Sequence, residues 1–177
     1  MYTITIYFDE KTNRTIQNYI NQIAKVTGNM YMLDNNVPPH ITLSAFDTKN
    51  EMAVVELTKR LADRWKQDTL QWVSVGAFFP YVMFIAPVLN EYLQKLSIEV
   101  YTNLLEINDI SIRKCYTPYQ WLPHTTIGKM LEEDDMVKAF KAMHDQFGVI
   151  EGRAVRVGVA RSNPHMDIAV FDIVHRD

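Results

Sequence analysis

The 177-residue sequence predicts an α+β fold of two similar lobes, on three observations. Segments with period-two alternation are interleaved with segments of helical spacing, and several neighbouring strands read as hairpins, which favours antiparallel-rich sheets lying side by side. The order of elements also repeats: strand, helix, strand, helix, strand, beginning near Tyr2 and again near Val82. Finally, two similar motifs, Pro39-His40-Ile41-Thr42-Leu43 and Pro123-His124-Thr125-Thr126-Ile127, fall at the same place in each round, with their histidines 84 residues apart. No linker, charge run or low-complexity stretch divides the chain, so residues 1–177 read as one domain. Its lobes span roughly 1–80 and 81–177, each with a sheet and two helices.

Each element has a local justification. Tyr2 to Phe8 is rich in β-branched and aromatic residues and predicts a strand. Asp9 is placed to cap a helix whose apolar positions are Ile16, Tyr19, Ile20, Ile23 and Val26, and Gly28 is placed to stop it. A loop carrying Asp34, Asn35, Asn36 and two prolines leads to the first motif strand, Ile41 to Phe46. A helix from Asn50 to Lys66 follows, with Val54, Val55, Leu61, Ala62 and Trp65 inward. Leu70 to Phe79 and Val82 to Ala86 read as strands meeting at Pro80, the first supported by the alternation of Val73, Val75, Ala77 and Phe79. The third helix, Asn90 to Leu105, has the stripe Leu89, Leu93, Leu96, Val100 and Leu104, and a polar, aromatic loop from Asn108 to Leu122 delivers the second motif. A fourth helix, Glu133 to Phe147, buries Met136, Phe140, Met143 and Phe147, with acidic residues at its positive end and Gly148 after it. Two strands, Val155 to Ala160 and Asp167 to Val174, joined through Ser162-Asn163-Pro164, close the chain.

Composition narrows the function. The 47% hydrophobic and 22% charged content is that of a globular protein with a substantial core. A formal charge of −3 argues against a broad basic face gripping a long nucleic-acid tract, while leaving room for a local pocket that takes a nucleotide or an RNA end. The lone Cys115 rules out an internal disulfide framework. Met1 to Asp9 has neither a basic leader nor a long apolar run, and Ala77 to Leu89 is interrupted by Pro80 and Pro87 and too short to span a bilayer. The expectation is a cytoplasmic protein with no membrane partner.

On a strand, residues two apart share a face, so His40 and Thr42 point one way while Ile41 and Leu43 point into the core. The second copy repeats this with His124 and Thr126 outward and Ile127 inward, beside a less apolar Thr125. Two such strands facing across a cleft present two imidazoles and two hydroxyls to one ligand, a set suited to a phosphate ester. Cleaving a phosphodiester takes a base and an acid. Histidine serves as either, because its reference pKa of about 6.5 keeps both forms accessible near neutrality. Threonine hydroxyls can donate to phosphoryl oxygens as charge builds. The two motifs are too alike to tell which histidine is the base. His144 and His175 are expected to face solvent and His165 to belong to a turn. No His-x-x-x-His pair, cysteine cluster or neighbouring carboxylate predicts a metal site, and no cofactor is implied. Phe46, Tyr116, Tyr119 and Trp121 are candidates for stacking on a base.

The paired His40-Ile41-Thr42 and His124-Thr125-Thr126 resemble the twin signature of the two-histidine phosphoesterase superfamily, which includes 2′-5′ RNA ligases and cyclic nucleotide phosphodiesterases. The resemblance covers nearly the whole chain. It implies a groove between lobes in which His40 and His124 act as acid and base and Thr42 and Thr126 hold the phosphate. It further implies metal-independent hydrolysis of a 2′,3′-cyclic phosphate or a 2′-5′ linkage, with RNA 2′-5′ ligation or non-catalytic binding of a nucleotide or RNA end as alternatives. Many relatives carry arginine soon after the second motif. Here Gly128-Lys129 stands there, which keeps the charge and loses the planar fork.

Overall fold

Capping side chains set the helix boundaries that periodicity alone leaves open. In the computed structural model, which describes residues 1–162 and 164–175, the chain opens with β1 (Tyr2–Phe8), and the Asp9 carboxylate then accepts from the Thr12 amide to start α1 (Glu10–Thr27). Gly28, at φ 78°, ends α1 in the left-handed conformation that glycine adopts without strain. A short α2 (Tyr31–Asp34) occupies the loop before β2 (Ile41–Asp47). Asn50 caps α3 (Glu51–Ala62), and Asn90 caps α4 (Glu91–Leu104), each through its side-chain oxygen. Between these helices lie β3 (Asp68–Phe78) and β4 (Val82–Pro87), and after them β5 (Ser111–Ile112), a 3₁₀ turn at Lys114–Tyr116 and β6 (Thr125–Gly128). The chain ends with α5 (Glu133–Gln146), β7 (Ile150–Arg161) and β8 (Met166–Asp172). Asn163, in the expected turn between the last two strands, lies outside the described residues. Among the described residues no helix is long and apolar enough to cross a membrane.

All described strands pair antiparallel, in the order β5-β2-β1-β7-β3-β4-β6 with β8 beside β7. The two expected sheets are therefore joined, and β7 joins them. Its first residues, Ile150 to Ala154, pair with β3, and the stretch from Ala154 to Arg161 pairs with β1. At the joint Phe8 and Trp72 meet edge to face, ring centroids 4.7 Å apart.

The internal repeat is visible in space, with β1-α1-β2-α3-β3 answering to β4-α4-β6-α5-β7, and it carries a reciprocal exchange. α1, from the first round, packs on β6 of the second, and α4 packs on β2 of the first. β3 pairs with β4, and β7 pairs with β1, so each round also lends its last strand to the other lobe. The spatial lobes thus cut across the midpoint of the chain.

Within a lobe, strand alternation separates core from groove. On β1, Ile4, Ile6 and Phe8 enter the main apolar core, while the intervening Thr3, Thr5 and Tyr7 are just as buried on the opposite face. On β3 the expected alternation holds only in part. Leu70 and Trp72 are inward, whereas Val73 and Phe79 are exposed. A bulge in the pairing with β4 between Trp72 and Ser74 switches the strand's faces, and Val75 and Ala77 pack against the core beyond it.

Candidate active site

Each motif histidine sits immediately before its strand and is oriented by the same device. His40 Nδ1 lies 2.7 Å from the Pro38 carbonyl oxygen, and His124 Nδ1 lies 2.9 Å from that of Leu122. A carbonyl only accepts, so each Nδ1 carries the hydrogen, and Nε2 is the nitrogen that gains or loses a proton. In both copies the ring reaches back over the intervening proline, Pro39 or Pro123, whose fixed φ gives the two turns a common shape.

The threonines follow on the strands. Thr42 pairs with Thr5 across β1, and Thr126 pairs with Phe84 across β4. Both line one cavity of about 350 Å³, together with His40, His165, Tyr116 and Lys129. His124 borders a second cavity of about 410 Å³, which shares Cys115 and Tyr116 with the first. The four expected residues therefore meet at two adjoining hollows, of a size usual for small-ligand sites.

Indole donors tie the motif strands in place. Trp121 Nε1 donates to the Thr42 carbonyl oxygen at 3.0 Å, and Trp72 Nε1 donates to Thr125 Oγ1 at 3.1 Å. The second bond explains the threonine at an otherwise apolar position, since Thr125 is fully buried and its hydroxyl accepts from the core indole. Phe46 is a core residue, fully buried and stacked against Tyr2, whereas Trp121, although buried, lines the second cavity beside His124. Tyr116 lines both cavities and hydrogen-bonds with Thr42, and burial pushes its hydroxyl up to about 12. Tyr119 is exposed, at 83%.

Electrostatics separates the two histidines. Burial pushes the His40 imidazole down to about 4, with the neighbouring His165 imidazole as the second cause. His124 is also held below the ordinary histidine value, by burial, with the bond to Leu122 working against the shift. Lys129 Nζ stands 5.4 Å from the centre of the Tyr31 ring at the edge of the first cavity.

Sequence reasoning missed a cluster beside His40. His165, expected to serve only its turn, lines the first cavity, with its ring stacked 4.7 Å from that of His40. Its Nε2 is 3.0 Å from Asp167 Oδ1, and the Tyr7 hydroxyl donates to the same carboxylate oxygen. A signal was present in β1, where Thr3, Thr5 and Tyr7 alternate with purely apolar residues on a strand buried on both sides. Such a polar, buried face points to a lined hollow. His144 and His175 are exposed, as expected. Among the described residues no group of three or more His, Cys, Asp or Glu side chains is arranged to hold a metal ion.

Comparison with known proteins bears on both fold and family. The chain is similar in structure to TT0787 of Thermus thermophilus, with a TM-score of 0.64, 13% identity and 99% of each chain covered. It is equally similar to Escherichia coli LigT complexed with 3′-AMP, with a TM-score of 0.64, 13% identity and 97% of each chain covered. A further structure described as a phosphoesterase gives a TM-score of 0.61 at 13% identity, over 98% of this chain and 97% of the other. No curated protein sequence matches. At these identities the structural likeness speaks for the fold, which is the two-lobed one. The family model for the 2′-5′ RNA ligase superfamily matches residues 13–169, which takes in both His-x-Thr motifs and most of the chain. The protein belongs to the 2′-5′ RNA ligase superfamily.

Proposed function

We propose that the protein is a metal-independent phosphodiesterase that opens a 2′,3′-cyclic phosphate or cleaves a 2′-5′ linkage of a nucleotide or RNA end. His40 and His124 divide the acid and base work, and Thr42 and Thr126 hold the phosphate. One observation carries this reading. Both imidazoles are held through Nδ1 to the carbonyl two residues back, which leaves Nε2 of each as the proton-exchanging atom. A site that only binds phosphate gains from cationic donors and has no use for two rings fixed in one tautomer.

The steps follow from that arrangement. The base Nε2 removes a proton from the attacking water while the acid Nε2–H protonates the departing ribose oxygen. The threonine hydroxyls donate to the non-bridging oxygens as charge grows on them. Joining a 5′-hydroxyl to a cyclic phosphate, the alternative ligase reading, would use the same groups in the same roles, the hydroxyl taking the place of the attacking water while the departing ribose oxygen is again protonated by the acid. A nucleotide ligand is supported by the LigT structure with 3′-AMP and by cavities of about 350 and 410 Å³. The net charge of −3 supports a short substrate over a long tract. The test is hydrolysis of 2′,3′-cyclic nucleotides with excess EDTA present. Turnover unaffected by the chelator is expected, and turnover abolished by EDTA and restored by a divalent ion would overturn the metal-independent reading.

A further inference from the structure

The mechanism above leaves unused the third imidazole in the groove. His165 follows β7 at the turn into β8, and its side chain is 9% exposed. Its ring and that of His40 lie 4.7 Å apart with their planes inclined by 30°. Nε2 of His165 is 3.0 Å from Asp167 Oδ1 and 3.2 Å from the Tyr7 hydroxyl oxygen. Because the Tyr7 hydroxyl donates to Asp167, its oxygen is left to accept, and Nε2 of His165 carries the hydrogen shared between the two.

The groups facing this pair favour a proton on His165. Asp167 on β8 is a carboxylate acceptor, held below the usual range because bonds from His165 and Tyr7 outweigh its burial. Tyr7 on β1 is kept protonated, its hydroxyl pushed well up by burial and by the bond to Asp167, with the Arg156 guanidinium of β7 5.8 Å from its ring. Among the described residues His40 forms no ion pair with a carboxylate, and its hydrogen-bond partner is the Pro38 carbonyl. Across the cavity stand the positive side chains of Arg113 and Lys129, the Cys115 thiol, and the hydroxyls of Tyr31 and Tyr116, with His124 beyond. Of these, Arg113 is paired with the Asp47 carboxylate at 3.0 Å. Among the described residues the second histidine has no such neighbour. His124 meets the edges of Phe78 and Phe84, with ring centroids 4.8 and 5.4 Å away.

We propose that His165 is a positioning residue which, paired with Asp167 and Tyr7, takes the first proton available to the stack and holds His40 neutral, so that His40 is the base and His124 the acid in hydrolysis. The low value of His40, about 4, set first by burial and then by His165, agrees with this. The role assignment rests on the phosphodiesterase reading, but the protonation order does not.

Ring resonances of the histidines, followed by NMR as pH falls, test the order without any turnover. In the wild-type protein His165 is expected to titrate while His40 stays neutral. A His40 that protonates first overturns the proposal. His165→Gln keeps a donor to Asp167 and removes the charge, so the His40 midpoint should rise from about 4 towards the reference of about 6.5. An unchanged His40 midpoint in the folded variant overturns the proposal equally. Should that variant not fold, the wild-type order decides alone. With a 2′,3′-cyclic nucleotide, the acid limb of kcat/KM should move up in the variant while the alkaline limb stays. A wild-type protein without turnover defeats the phosphodiesterase reading and leaves the NMR result to judge the pairing.

Discussion

The two halves of the groove share a backbone plan and differ in chemistry. Each has a histidine reaching back over a proline, a threonine two residues on, and an aromatic ring from the strand that pairs with the motif strand. On the first side that ring is Tyr7, tied to Asp167 and His165, and on the second it is Phe84, beside Phe78. Even the support is matched. A Cβ on Gly158 would lie 2.9 Å from the Tyr7 ring, and one on Gly76 would lie 2.6 Å from the Phe84 ring. A shared scaffold with a hydroxyl, a carboxylate and an imidazole on one side and two phenyl rings on the other is suited to two histidines of unequal proton affinity. The backbone repeat keeps the geometry, and under the proposed roles the side chains that differ between repeats set base apart from acid.

The comparison breaks most visibly at the histidines themselves. Replacing either His40 or His124 with alanine should lower kcat by about 10²–10⁴, the usual worth of one general acid or base. The double variant should fall well short of the product of the two, because acid and base act in one step. Steady-state rates on a 2′,3′-cyclic nucleotide decide this, and full activity in either single variant removes that histidine from the mechanism. A substrate whose leaving group needs no proton sharpens the contrast: it should rescue the acid's variant selectively, and by the assignment above that is His124→Ala.

A second contrast is read in acid. A base held near 4 keeps the acid limb of kcat/KM far below where an unperturbed histidine, at about 6.5, would place it. The same depression acts on stability. The unfolded chain binds a proton at the ordinary value and folded His40 resists it until about 4, so unfolding takes up a proton in that window and stability rises with pH across it. The contribution is complete above the ordinary value and lost as pH falls to about 4, on the order of 3 kcal/mol in all at about 1.36 kcal/mol per unit. Urea titrations over that range should show the loss in the wild-type protein and a flatter dependence in His40→Ala. Equal slopes in the two proteins would rule out His40 as the source.

How far this was legible in the sequence depends on the range of the interaction. Asp9, Asn50, Asn90 and Gly28 act within a few residues of where they stand, so helix boundaries followed closely from local chemistry. The Asn50–Lys66 expectation overran α3, which ends at Ala62, because apolar spacing continues to Trp65 after the helical bonds stop. The repeated order of elements was readable, but the exchange of α1 and α4 between lobes was not, since nothing local records which strand a helix will cover. His40, Thr42, His124 and Thr126 announced themselves through the duplicated motif. Tyr7 and His165 belong to no motif, and only the pairing of β1 with β7 and of β7 with β8 brings them together across 158 residues of sequence.

The smallest expected effects come from the paired glycines, and they separate scaffold from chemistry. Adding a methyl group at Gly158 meets the Tyr7 ring, the Ala169 carbonyl oxygen at 3.0 Å and Val170 at 3.2 Å. At Gly76 the three nearest atoms all belong to the Phe84 ring, at 2.6, 2.7 and 3.4 Å. Overpacking of this kind costs about 1–3 kcal/mol. Gly158→Ala is expected at the upper end, because a strand backbone cannot step aside as a single ring can. In a protein of this size each kcal/mol lowers Tm by about 2–4 °C, so thermal melts should rank Gly158→Ala below Gly76→Ala. The rank should invert in kinetics. A displaced Phe84 bears on Phe78 and on His124 itself, with centroids 4.4 and 5.4 Å away, so the milder substitution for stability should shift the alkaline limb assigned to His124. In Gly158→Ala the disturbance falls on Tyr7, and hence on the His165–Asp167 pair and the acid limb. If both variants move the same limb, the division of roles between the two sides of the groove is wrong, whatever their melting temperatures.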